Sequence, residues 1–309
     1  MKLGFSLPQV GDLAGRENVS LVARRAEELG FDSVWVIDRL MIPDQPRAPY
    51  PASADGILPE AFKRVLDPLD TLSFVAAITE RVGLGSSILN LPFYNPALLA
   101  RRLATLDVLS GGRAQIGFGV GWSPDEFEAV GTAFTNRGKR TDEAIQVLKA
   151  IWGPDPVAFD GEFYKIAKSV IGLKPVQEPH PPIYFAAYNP AAMRRTALHG
   201  NGWARAGIPL EVMAQMFGQI KAMAAEAGCD PDAMEMVVRA SQRILDQPLG
   251  SDRAQFSGAV EQVVGDLVAL QGIGATEVIF DVQFSPTVGS IDDYLDAMDE
   301  IYTPTKAAS

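Results

Sequence analysis

The run Leu98-Leu99-Ala100-Arg101-Arg102-Leu103-Ala104-Thr105-Leu106-Asp107-Val108-Leu109, closed by Gly111-Gly112 and followed by Ala114-Gln115-Ile116-Gly117-Phe118, is a helix, a turn and a strand in direct succession. Its apolar residues recur at helical spacing, glycine stops the helix, and a short apolar run follows. The unit returns twice in clear form. Leu21, Val22, Ala26 and Leu29 lead through Gly30 into Ser33-Val34-Trp35-Val36-Ile37, and residues 260–270 lead through Gly272 and Gly274 into Glu277-Val278-Ile279-Phe280. Short apolar strands alternating with helices mark a parallel sheet whose outer face is covered. The pattern predicts strands at 2–7, 33–37, 82–89, 113–118, 182–187, 202–206, 234–241 and 276–281. With no break in composition, these predict a single (β/α)8 TIM barrel over residues 1–309 with inserted loops. A doubly wound sheet is the alternative, but it usually splits into two lobes, and no linker divides this chain.

Composition narrows the function. The 309 residues carry 27 basic and 38 acidic side chains, a net charge of -11, with no Lys/Arg run, which argues against nucleic acid or an anionic membrane as partner. A single cysteine, Cys229, excludes an internal disulfide and any multi-cysteine metal site. The chain enters a strand pattern at Met1-Lys2-Leu3-Gly4-Phe5 and holds no stretch of about 18 uncharged apolar residues. A soluble, cytoplasmic protein acting on a small molecule is expected.

Two insertions interrupt the rhythm. Residues 40–66 contain Pro43, Pro46, Pro49, Pro51 and Pro59, and residues 153–181 surround a hairpin-like Phe159-Asp160-Gly161-Glu162-Phe163-Tyr164. Long insertions serve as lids or binding loops, or are mere surface decoration. The first is the better lid candidate because it leaves the C-terminal end of a strand, where active sites of this barrel lie.

Three strand ends run into helix starts of the form N-cap then proline: Asn95-Pro96, Ser123-Pro124 and Asn189-Pro190, with Ser123 and Glu126 also at capping-box spacing. Such N-termini favour bound anions. The alternating glycines of Gly117-Phe118-Gly119-Val120-Gly121-Trp122 are expected to form a ligand wall bordered by Trp122, with close strand packing as the other reading. Small residues in Gly85-Ser86-Ser87-Ile88-Leu89-Asn90 permit a bulge, although the residues alone favour an ordinary strand end. Gln9, Asp38 and Arg39 are polar candidates at the ends of the first two strands. His180 and His199 do not have the setting of catalytic groups, and there is no metal-ligand spacing or Ser/His/Asp set. So little acid–base equipment points to chemistry carried by an organic cofactor.

The block Thr79-Glu80-Arg81-Val82-Gly83-Leu84-Gly85-Ser86-Ser87-Ile88-Leu89, with Asn95-Pro96-Ala97-Leu98-Leu99-Ala100, residues 103–113 and the glycine run just quoted, resembles the bacterial luciferase-like superfamily. Arg137-Gly138, Thr141-Asp142-Glu143, Pro181-Pro182-Ile183 and Gly202-Trp203 extend the resemblance over nearly the whole chain. It implies a (β/α)8 barrel using FMN or the deazaflavin coenzyme F420, and the details are most similar to the F420-dependent oxidoreductase branch. By that resemblance, a non-prolyl cis peptide at Ser87–Ile88 backs the deazaflavin ring. Asp38, Asn90, Val120 and Gly121 line the ring or its ribityl chain, and Asp125 and the Ala186-Ala187-Tyr188 turn lie nearer the chain and phosphate. A homodimer through helices around 95–109 and 138–152 is also implied.

Two departures stand out. Many relatives have Asp-His where this chain has Asp38-Arg39, and the sugar-phosphate dehydrogenases of the branch have glutamate where this chain has Trp122. Arginine stays protonated and cannot be a base. Arg39 is therefore expected to orient or neutralise negative charge and Trp122 to shape the pocket, in a hydride transfer between F420 and a small organic substrate. The alternatives are an FMN-dependent monooxygenase and a non-catalytic flavin- or deazaflavin-binding protein.

Overall fold

In the computed structural model, which describes residues 1–53, 55–241 and 243–308, the barrel strands are β1 (Lys2–Ser6), β2 (Ser33–Val36), β3 (Gly83–Asn90), β4 (Ala114–Gly119), β5 (Ile183–Ala186), β6 (Gly202–Ala206), β7 (Glu235–Ser241) and β8 (Glu277–Asp281). All pair in parallel and in chain order, and β8 pairs with β1 to close the barrel. The predicted (β/α)8 barrel is thus the observed fold, each predicted strand lying within one residue of the observed one. The helices are α1 (Arg16–Leu29), α2 (Pro68–Ala76), α3 (Pro96–Ser110), α4 (Pro124–Ala129), α5 (Arg137–Trp152), α6 (Pro190–His199), α7 (Leu210–Glu226), α8 (Val260–Gly272) and α9 (Ile291–Ala308).

Alternation along each strand sorts the side chains. Outward-facing Phe5 meets Phe31 and Tyr294 edge to face at 5.3 and 5.7 Å, and Trp203 stacks on Phe217 of α7 at 6.3 Å. Inside the barrel Trp35, Tyr184, Ala204, Val237 and Ile279 form an apolar cluster joined by Ile88. The Trp35 indole fits there because Gly85 has no side chain; a Cβ at that position would lie 2.3 Å from the ring. At the N-terminal end of the barrel Glu277 is buried, accepting from Ser33 Oγ and, at 3.0 Å, from Trp35 Nε1.

The three expected N-caps are present. Asn95 Oδ1 accepts from the N–H groups of Ala97 and Leu98, Ser123 Oγ from that of Glu126, and Asn189 Oδ1 from that of Ala192. The hairpin also forms, Val157–Asp160 pairing antiparallel with Lys165–Ser169 and Glu143 accepting three of its backbone N–H groups. Buried Asp107 of α3 anchors the end of this insertion through Val176 and Gln177. Because the insertion joins α5 to β5, it lies toward the N-terminal ends of the strands, away from the mouth. Residues 40–66 leave β2 at the opposite, C-terminal end, and there Leu58, Phe62 and Val10 pack with Ile37, Ile42, Tyr50 and Trp122.

Burial pushes the Glu277 carboxyl up to about 7, against the opposing pull of Ser33, Lys2 and Trp35. A raised acid binds its proton more tightly in the folded state, so its contribution falls as pH rises from the ordinary glutamate value to about 7 and is level above it. Glu277→Gln keeps an oxygen acceptor for Ser33 and Trp35. Urea unfolding should show the variant gaining up to about 3 kcal/mol over wild type at pH 8 and almost nothing at pH 4.5; an equal difference at both pH values would remove the carboxylate from the account.

Candidate active site

Asp38, just after β2, and Asn90, at the end of β3, are joined. Asp38 Oδ2 accepts the Asn90 N–H at 2.9 Å and the Tyr94 hydroxyl at 3.1 Å. Desolvation pushes the Asp38 carboxyl up to about 6, with the Asn90 and Tyr94 bonds opposing. Sequence had given no hint of Tyr94, which arrives through the short turn after β3.

Between Ser86 and Leu89 the register of β3 against β4 shifts, and the Ser87–Ile88 peptide is cis. The cis bond matches the family expectation; the bulge replaces the ordinary strand end that the residues alone favoured. Its cause is on β4. A Cβ at Gly117 would lie 2.2 Å from Ser86 O, and one at Gly119 would lie 1.9 Å from Ile88 Cδ1. Gly117 and Gly119 therefore receive the bulge of β3, which is the close strand packing named as the other reading, whereas a Cβ at Gly121 would meet Phe127. Ile88, seated on them, is half-buried at the top of the interior cluster, with Val120 and Gly121 continuing from β4.

Arg39 is inside. Its side chain is 8% exposed and its Nη1 lies 2.6 Å from Glu126 Oε2, whose side chain is 1% exposed. The guanidinium lies 5.0 Å from the Trp122 ring, 5.4 Å from Phe62 and 5.9 Å from Tyr50. Glu126 Oε1 accepts the Leu40 N–H at 2.9 Å, so its carboxylate turns to the insertion rather than back to Ser123, and only half of the expected capping box forms. Arg39 thus has its own carboxylate partner, which the sequence reading did not anticipate. Asp125 is likewise engaged, by Arg47 Nε at 2.6 Å and the Arg47 N–H at 3.0 Å, and these contacts hold it below the usual carboxylate range. Gln9 bridges Ile37 N–H and Leu66 O, tying both ends of the insertion to β1.

On the far side of the mouth the Ala186-Ala187-Tyr188 turn follows β5. Trp203 Nε1 donates to Ala187 O at 3.2 Å, and Arg205 of β6 lies 3.9 Å from the Tyr188 ring centroid. Arg239 of β7 pairs with buried Asp281 of β8 at 2.7 Å and donates to Ser87 O at 3.2 Å. Tyr50 hangs from the insertion among these groups: burial raises its hydroxyl, and the charges acting on it are Arg39, Arg239, Tyr188 and Asp281. Glu126, Tyr50, Arg205, Arg239 and Asp281 were all missed as site residues, because no local spacing links them to the mouth. His180 and His199 precede β5 and β6 and so lie toward the N-terminal ends.

Buried polar atoms need partners, and among the described residues several without a hydrogen-bond partner lie at the C-terminal ends of the strands, namely Ser6 Oγ, Arg39 Nε, Trp122 Nε1, Arg205 Nε and Nη1, and Gln283 Oε1, whereas Gln115 Oε1 lies near the start of β4. A surface that is apolar at Ile88, acidic at Asp38 and cationic at Arg205 suits a flat heteroaromatic ring with a polar, anionic tail. Among the described residues no group of three or more His, Cys, Asp or Glu side chains is arranged to hold a metal ion.

Removing one partner of a buried ion pair strands the other. Arg39→Ala should lower the urea unfolding free energy by about 3–5 kcal/mol. The double variant Arg39→Met/Glu126→Gln, which strands no charge, should recover more than half of that loss; if its effect equals the sum of those of Arg39→Met and Glu126→Gln measured singly, the groups do not act as a pair.

A family model described as luciferase-like monooxygenase matches residues 3–248. The F420-dependent glucose-6-phosphate dehydrogenase of Kineococcus radiotolerans is 37% identical over 207 residues, covering 66% of this chain and 56% of that enzyme. The chain also spans only 64% of the length of an uncharacterized Mycobacterium tuberculosis relative. Two solved structures share the fold. The monooxygenase RslO1 from Streptomyces bottropensis has a TM-score of 0.82 at 22% identity, covering 99% of both chains. An F420-dependent secondary alcohol dehydrogenase in complex with an F420-acetone adduct has a TM-score of 0.77 at 20% identity, covering 97% of this chain and 98% of that one. With four-fifths of its length matched by the family model and the barrel, β3 bulge and β4 glycines in place, the chain belongs to the luciferase-like monooxygenase family.

Proposed function

We propose that this chain is an F420-dependent oxidoreductase that moves a hydride to or from a small organic substrate at the C-terminal mouth of the barrel. The observation that carries a ligand site there is the set of buried, unpartnered polar atoms of Ser6, Arg39, Trp122, Arg205 and Gln283 at the C-terminal ends of the strands. Support for F420 comes from the similarity to the Kineococcus enzyme, and the residues present suit the group. Ser87 and Ile88 would back the ring, Asp38, Asn90, Val120 and Gly121 would flank it, and the Ala186–Tyr188 turn would lie along its tail. Asp125, engaged by Arg47, would act through the insertion rather than on the tail directly. When bound, the deazaflavin supplies a two-electron hydride donor or acceptor at its C5 carbon.

The chain's own work is positioning and exclusion of water. Through Glu126, Arg39 holds residues 40–66 as a lid over the mouth, and Trp122 walls the substrate space. Tyr50, kept protonated by burial, holds at Oη the proton that a C=O or C=C takes up when it is reduced. This makes Arg39 a positioning residue and Tyr50 the acid, without a histidine. The protein is a single domain that pairs as a homodimer through its helices around 95–109 and 138–152. The family description and the likeness to RslO1 favour a second reading, FMN-dependent oxygenation.

Fluorescence titration with oxidised F420 and, separately, FMN tests the cofactor: saturable binding is expected for F420, with FMN weaker. An anaerobic panel of ketones, enones and alcohols should then exchange hydride. Substrate-coupled oxygen uptake with FMN would favour the second reading, and tight binding without any exchange would mark a non-catalytic binding protein. Tyr50→Phe should lower turnover by about a hundredfold and leave F420 affinity unchanged; an undiminished kcat would remove Tyr50 from the proton path.

A further inference from the structure

Among the described residues the buried guanidinium groups other than Arg205 have a carboxylate or backbone acceptors, although Arg39 Nε is also without a hydrogen-bond partner. Arg39 pairs with Glu126 at 2.6 Å, Arg195 with Asp142 at 2.5 Å and Arg239 with Asp281 at 2.7 Å, while Arg113 donates to a set of backbone carbonyls. Arg205 differs. It is 8% exposed, its Nε and Nη1 have no hydrogen-bond partner, and among the described residues no carboxylate forms an ion pair with it. Desolvation lowers its pKa, and Tyr188 is the one group opposing that shift. A buried charge in this condition is costly unless something else supplies the counter-charge.

Its surroundings say what that is. The guanidinium lies 3.9 Å from the Tyr188 ring centroid. Stacking occupies a face of the guanidinium, whereas its N–H donors lie in the plane and remain free for a forked acceptor such as a phosphate. Tyr188 leads directly into Asn189, the N-cap of the ten-residue helix α6. Pro190 has no N–H and Asn189 Oδ1 takes that of Ala192, so α6 is capped from within the chain and adds to this corner only the positive end of its dipole, next in sequence to Tyr188. Tyr188 also acts on Tyr50, so this corner belongs to the same mouth.

We propose that Arg205 is the counter-charge for a phosphate ester on the bound ligand, and that it distinguishes a phosphorylated flavin or deazaflavin from its phosphate-free form. The identity of the ring rests on the function proposed above; the anion site does not. Its signal in the sequence was nil, since a lone arginine inside Gly202-Trp203-Ala204-Arg205-Ala206 reads as a strand residue.

The test compares wild type, Arg205→Met and Arg205→Lys in fluorescence titrations with F420, its phosphate-free deazariboflavin, FMN and riboflavin. Thermal melts with and without inorganic phosphate accompany them. Wild type should prefer each phosphorylated form by about tenfold to a hundredfold. Arg205→Met should bring that ratio close to one with unchanged affinity for the phosphate-free forms, and Arg205→Lys should restore part of it. Phosphate should raise the melting temperature of wild type but not of Arg205→Met, whose ligand-free melting temperature should be equal or higher because a stranded charge is gone. A ratio that persists in Arg205→Met overturns the proposal. So does a wild type that shows neither the preference nor the phosphate effect, an outcome readable even if Arg205→Met fails to fold. If wild type binds none of the four ring compounds, the function proposed above falls, while phosphate stabilisation lost in Arg205→Met still supports the anion site.

Discussion

A guanidinium and a carboxylate, both out of water and 2.6 Å apart, hold the working face of this barrel together. Arg39 comes from the end of β2 and Glu126 from the short helix after β4, and the second oxygen of Glu126 takes the backbone N–H of Leu40. One carboxylate thereby fixes a strand end, a helix and the first residue of a long insertion. Three aromatic rings close around the pair and keep water from screening it. Because each charge is tolerable only beside the other, the start of the insertion is pinned to the helix after β4 instead of having the freedom its prolines and length permit.

Beneath that clamp the barrel relies on missing side chains. Gly85 makes room for the Trp35 indole, and Gly117 and Gly119 make room for the bulge that carries Ser87 and Ile88. The glycines of β3 and β4 thus admit bulky groups from their neighbours, and Trp35, Tyr184, Val237 and Ile279 fill the barrel interior with Ile88. Arg239 then reaches from β7 to Ser87 O, linking the bulge to the opposite wall and, through Asp281, to β8. The C-terminal end of the barrel is therefore braced from both sides.

Local structure was legible in detail. The helix–glycine–strand grammar placed each of the eight strands to within one residue, and three Asn/Ser-Pro pairs marked helix starts that the structure retains. Chemistry was legible only in part. Asp38 and Asn90, named through the family resemblance, are hydrogen-bonded to each other, Asp125 is engaged by Arg47, and Gly117 and Gly119 of β4 face a neighbouring strand, three contacts that no local spacing announces. Arg39 was noticed for its charge, but its partner was read merely as a capping residue.

The sequence by itself determined the barrel, because periods of 3.6 and 2 residues and the turn chemistry between them are written within a few neighbouring positions. Tertiary structure alone decided which buried charges find a counter-charge within the chain and which do not. Arg39 finds Glu126 across 87 residues and Arg239 finds Ser87 across 152, while Arg205 finds only the face of Tyr188. Those outcomes depend on which strand ends the closed barrel brings side by side, and a distance set by closure leaves no period along the chain.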